Sequence, residues 1–179
     1  MAWQAWRGYD RLFYFRDYAG ALFDLDATDT LTWDQVDYPQ NISVDYLRGL
    51  CYMGLKDYDR AIEYFKKFAE DEATKVGEEF IDEAVFLYLG KIYFERLEMS
   101  KAEHYLRRGL KFEDSFADFN YYLAQIYCYK NDLFQAREEL NTAIKKFEDG
   151  NRLRGYRFEA IGQLYKSDLD ELSILLGDS

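Results

Sequence analysis

The groups in this 179-residue chain with chemistry beyond packing are few: one histidine, His104, two cysteines, Cys51 and Cys128, and an aspartate run over Asp24, Asp26, Asp29, Asp34 and Asp37. General acid–base or nucleophilic catalysis needs such groups in pairs, a base beside a nucleophile with a third group to orient the base. His104 has no second imidazole to work with and falls between Glu103 and Tyr105, so it reads as a half-exposed structural residue. Neither cysteine has a basic neighbour in sequence that would favour its thiolate, and neither sits in a CxxC or Cys/His cluster. Both read as small apolar packing groups. The aspartate run lacks the glycine and the bidentate glutamate of a helix-loop-helix calcium site, and its spacing degrades after Asp29. With no phosphate-cradling glycine loop, nucleophile elbow or HExxH motif, the sequence predicts neither an enzyme nor a bound cofactor or metal.

The rings remain. Aromatics make up 19% of the chain (17 Tyr, 14 Phe, 3 Trp), while the one proline, Pro39, leaves long stretches free to be helical. A formal charge of −11 disfavours nucleic acid, whose phosphates require clustered Lys and Arg, and favours basic partners. Two acidic clusters, Glu70-Asp71-Glu72 and Glu78-Glu79 with Asp82-Glu83, add to that field. The uncharged run from Phe119 to Tyr129 is too short for a bilayer span, and the first residues carry no basic segment followed by an apolar core. With two unpaired cysteines, the expectation is a cytoplasmic protein with no membrane or nucleic-acid partner.

The elements that must position these rings are visible as a repeat. Gly49-Leu-Cys-Tyr52, Gly90-Lys-Ile-Tyr93 and Ala124-Gln-Ile-Tyr127 each place a small residue three before a tyrosine. Each is followed nine residues later by an alanine, Ala61, Ala102 or Ala136, and four further on by Phe65, Leu106 or Leu140. Small residues at facing points let two antiparallel helices approach closely, and the tyrosine and the later large residue fill the space beside them. Polar turns at Lys56-Asp57, Arg96-Leu97-Glu98 and Lys130-Asn131-Asp132 separate the helices, with Asp57 and Asp132 placed to cap. The pairs Lys66-Lys67, Arg107-Arg108 and Lys145-Lys146 are read as helix-dipole compensation on a solvated face.

This pattern resembles the tetratricopeptide repeat family, whose helix-turn-helix unit has a period of about 34 residues. The step from Gly90 to Ala124 has that period, and the longer step from Gly49 to Gly90 predicts an extended second helix and loop over Glu70 to Asp82. The proline common between repeats is absent; Ala73, Asp114 and Glu148 stand in its place. The resemblance implies an all-α fold: a right-handed superhelical stack of antiparallel helix hairpins forming a single domain. About three regular repeats are expected at 42–75, 83–116 and 117–150. A degenerate hairpin at 2–28 precedes them, with Ala21 in the alanine slot but Tyr9 where a small residue belongs, and 26–41 reads as a connecting loop. A partial repeat and cap at 152–176 closes the array, with Gly162-Gln-Leu-Tyr165 repeating the first-helix motif and Asp168 to Leu176 a capping helix.

The resemblance further implies a concave face lined by the first helix of each hairpin. The aligned positions are Trp3, Trp6, Asp10 and Phe13, then Tyr46, Leu50 and Met53, then Leu87, Lys91 and Phe94. Tyr121, Gln125, Tyr129, Tyr156, Glu159 and Gln163 complete the set. Each ring is either groove lining or core against the next repeat; as a set they predict a protein-binding face for an extended or helical peptide with apolar anchors and basic residues. Some family members grip a C-terminal carboxylate through Lys, Arg and Asn on these helices; here Lys91 is the one lysine before the tail, which disfavours that mode. Small free-standing members include chaperones of secreted proteins and inhibitors of partner toxins, so adaptor, chaperone and inhibitor roles all stay open. The alternative is a structural homo-oligomer, a homodimer for instance, assembled through exposed aromatic faces.

Overall fold

The computed structural model describes residues 2–29, 42–112, 115–154 and 159–177. Among them every regular element is helical: α1 (Ala2–Asp10) continued by a π turn (Arg11–Phe15), α2 (Tyr18–Asp29), α3 (Val44–Gly54), α4 (Tyr58–Val76), α5 (Ala84–Glu95), α6 (Met99–Gly109), α7 (Ala117–Tyr129), α8 (Leu133–Glu148) and α9 (Lys166–Leu176). Consecutive helices pack as hairpins, α1 with α2, α3 with α4, α5 with α6 and α7 with α8. No helix among the described residues is long and apolar enough to cross a membrane. The chain divides into two compact units. The first holds residues 1–81 with 156–161, the second 82–155 with 162–179.

The repeat positions do what their sizes require. A Cβ on Gly49 would lie 2.7 Å from the Phe65 ring, and one on Gly90 would lie 2.6 Å from Leu106, so only glycine permits these helix approaches. Ala61, Ala102 and Ala136 are fully buried opposite them. The repeat tyrosines find partners three residues after the alanines: Tyr52 stacks on Tyr64 at 5.5 Å and Tyr93 on Tyr105 at 5.4 Å. In the third hairpin that place is Glu139, and the hydroxyl of Tyr127 instead donates to Glu103 of the preceding hairpin at 3.0 Å.

The first hairpin corrects the expectation at Tyr9. Gly8 is the small residue, with its hypothetical Cβ 3.2 Å from Leu25, and Tyr9 is buried beside Phe13. The π turn explains the offset, because it takes one extra residue into the helix between Gly8 and Ala21. Asp57 and Asp132 accept hydrogen bonds from the main-chain N–H of Arg60 and Gln135, as their positions predicted. The long second helix was also legible, α4 running to Val76 and followed by a 3₁₀ turn at Glu78–Phe80.

Three further expectations change. The loop expected from Asp26 starts later, since α2 continues to Asp29; residues 30–41, with Asp34, Asp37 and Pro39, lie outside the described residues. Among the described residues the expected C-terminal helix pair is a single helix, α9, because Gly162 sits in a turn with φ +66° and residues 159–165 are not helical. Only α9 caps α8. The basic pairs are not merely solvated: Lys67 bridges Asp45 at 2.8 Å, Arg108 stacks on Phe86 and Lys146 donates to Ser115.

Candidate functional site

In the first unit Trp3 and Trp6 are exposed on α1, with the Arg7 guanidinium 4.6 Å from the Trp3 ring. Phe13 turns inward instead. Tyr46 is buried between Phe65 and Phe68 at 5.9 and 5.2 Å, Leu50 is buried, and Met53 is half-buried at the end of α3. Charged groups are held by partners: Asp24, fully buried, takes Arg7 and Arg11, and Arg48 bridges Asp45 and Asp26. Asp24 and Asp26 of the aspartate run therefore hold helices together.

In the second unit Leu87 and Lys91 are buried, the latter against Asp118 at 3.5 Å. Phe94 and Tyr121 are half-buried and both stand edge-on to Tyr122, at 5.6 and 5.3 Å. Burial raises the Tyr121 phenol to about 12 and Tyr122 still higher, so both stay protonated donors at neutral pH. Gln125 is half-buried one turn along α7 from Tyr121. Tyr129 is 65% exposed. The structure brings Phe94, Tyr121 and Tyr122 into contact, and Gln125 and Tyr129, spaced four and eight residues from Tyr121, continue its face of α7. Tyr156 lies outside the described residues; Glu159 is exposed and Gln163 half-buried.

Phe13, Tyr46, Leu50, Leu87 and Lys91 are thus corrected from groove lining to core. A one-dimensional alignment identifies which helix a residue rides on but not how far its neighbours close over it. Sequence reasoning missed Tyr122 and Asp118, both on α7 one to three residues from positions it chose. The signal available for Asp118 was a lone acid preceding an uncharged eleven-residue run, Phe119 to Tyr129.

Cys51, buried, has its thiol pushed up to about 12 by burial, and Cys128 is raised by burial too. His104 is exposed and edge-on to Tyr105. Among the described residues no group of His, Cys, Asp and Glu is arranged to hold a metal.

Residues 43–73, spanning α3 and most of α4, match the tetratricopeptide repeat family model. The chain also superposes on the crystal structure of a thermophilic TPR protein in Thermus thermophilus, with a TM-score of 0.59. This is a tetratricopeptide-repeat fold. The alignment covers 98% of this chain and 82% of the other at 14% identity. No curated protein matches the sequence. Tetratricopeptide-repeat folds generally mediate protein–protein interaction and are typically non-enzymatic scaffolds. In that fold the first helices of the hairpins here are α1, α3, α5 and α7, the helices that carry the rings described above.

Proposed function

We propose that the chain is a protein-binding module whose ligand, a protein or peptide segment with apolar anchors and basic residues, docks on the exposed ring face of α7. It would act there as an adaptor, a chaperone or an inhibitor of its partner. The observation that carries this is the cluster of Phe94, Tyr121 and Tyr122 continued by Gln125 and the exposed Tyr129, stiff contact area on a rigid helix. The net charge of −11 supplies long-range attraction for a basic partner.

The test is differential capture from native lysate with wild type and Gln125→Ala/Tyr129→Ala, followed by affinity measurement with the purified partner. Loss of one dominant partner, with at least a tenfold weaker Kd at unchanged circular dichroism, is expected. Equal affinity for both forms overturns this placement of the site.

A second reading has its own observation. In the first unit Trp3, Phe15 and Phe23 are 68 to 75% exposed and Trp6 and Tyr14 about half exposed, an apolar set suited to self-association. Sedimentation decides it: a dimer that Phe15→Ser/Phe23→Ser makes monomeric supports assembly, and a monomeric wild type excludes it.

A further inference from the structure

Helix α9 stands beside the ring face, and packing on α8 accounts for only one of its sides. Leu169, Leu172 and Leu176 turn inward and share a core with Ala124 of α7 and Leu140 of α8. The Arg137 guanidinium, near the start of α8, donates to the Leu176 carbonyl at 2.6 Å. Because α8 begins where α7 ends, α7 and α9 run in the same direction, each antiparallel to α8. The first half of α9 lies beside Tyr121, whose phenol is raised by burial first and then by the negative charges of Asp168 and Glu171.

The two acids differ in what they already do. Asp168 accepts the Tyr165 N–H at 2.8 Å as part of the helix cap. Glu171 is exposed, and among the described residues no cation pairs with it. The stretch from Ser167 to Leu175 contains no Lys or Arg to neutralise it. Three and four residues on, one turn along the same face, Ile174 and Leu175 are each 75% exposed. A carboxylate beside an aromatic ring suits a guanidinium or ammonium, which can meet the charge and the ring face together. Two bare aliphatic side chains one turn away suit an apolar anchor. A second copy of the chain is the poorer occupant, since it would set acid against acid at a charge of −11 per chain.

We propose that α9 is the second wall of the ligand site on α7, where Glu171 and the Tyr121 ring take a Lys or Arg of the partner and Ile174 and Leu175 take an apolar side chain one turn further along. This rests on the reading that the ligand docks on α7, and it specifies that ligand. Cation and apolar group stand about 5 Å apart, the pitch of one helical turn, which a helical segment spans in three or four residues and an extended one in about two.

The test selects random peptides displayed on phage with the full chain. Wild type is expected to enrich Lys or Arg about two to four residues from Leu, Ile, Met or Phe. Glu171→Lys should turn the basic preference acidic and weaken a peptide selected by wild type about tenfold or more, with the apolar preference kept. Ile174→Ser/Leu175→Ser should lose the apolar preference and keep the basic one. The three replaced side chains are exposed, so circular dichroism is expected to be unchanged. No enrichment by wild type, or selected peptides that bind both α9 variants as tightly as wild type, overturns the proposal. A wild-type dimer that Ile174→Ser/Leu175→Ser makes monomeric gives the face to a second copy and overturns it too. Gln125→Ala/Tyr129→Ala separates the two readings. Peptides that need Gln125 and Tyr129 but not Glu171 or Ile174 overturn this inference alone, and peptides indifferent to Gln125 and Tyr129 overturn the ring face with it.

Discussion

At Gly109 the hypothetical Cβ would lie 2.1 Å from the Phe119 ring, and Phe119 is fully buried, so neither side has room to give. Gly109→Ala is expected to cost about 2 to 3 kcal/mol, read as a lower urea midpoint. Glu103 illustrates charge at the same scale. Burial opposes its ionisation, but hydrogen bonds from Lys130, Arg107 and Tyr127 together hold its carboxyl at about 2, below its ordinary 4.5. A depressed carboxylate stabilises the fold above pH 4.5 and loses that contribution as pH falls from about 4.5 towards 2. Glu103→Gln should therefore be about 1 to 2 kcal/mol less stable than wild type at pH 7 by urea unfolding, the figure discounted for partial exposure, and the gap should shrink at pH 3.

Among the elements, the turns inside the three hairpins from α3 to α8 share a geometry but not a chemistry. Lys56, Leu97 and Asn131 all sit at φ near +60°, followed by Asp57, Glu98 and Asp132 as N-caps. Asn tolerates that left-handed backbone and aspartate reaches the helix N–H, whereas Leu97 is strained there and Glu98 makes no cap bond. Glu98 bridges Arg96 and Lys101 instead, and such exposed pairs contribute little. Copying the better turn, Leu97→Asn/Glu98→Asp, is expected to stabilise by about 1 kcal/mol and raise Tm by about 2 to 4 °C. The reverse change, Asp132→Ala, should cost about 1 kcal/mol.

For the molecule as a whole, the relevant quantity is a charge of −11 spread over two compact units. Association with a basic partner is expected to slow by about tenfold or more between 0.05 and 0.5 M salt in stopped-flow measurements, with dissociation changing much less. A salt-independent on-rate would mean that the acidic surface takes no part in encounter.

The hairpins were legible without coordinates, because a small residue that must face a large one leaves a trace at fixed spacing, as Gly49, Ala61 and Phe65 do. The caps at Asp57 and Asp132 were legible for the same local reason. What sequence reasoning misjudged depends on an irregular turn and on contacts distant along the chain. The π turn moved the small position from Tyr9 to Gly8, since one added residue shifts the face that every preceding side chain presents. Gly162 read as the start of a helix because Gly-Gln-Leu-Tyr matches the motif locally, yet its carbonyl is held by Lys91, 71 residues earlier. Tyr46, Leu87 and Lys91 looked like groove lining and are core, whereas Tyr129 stayed exposed. Helical period fixes which side chains share a face, and only the packed neighbours decide which of those faces water reaches.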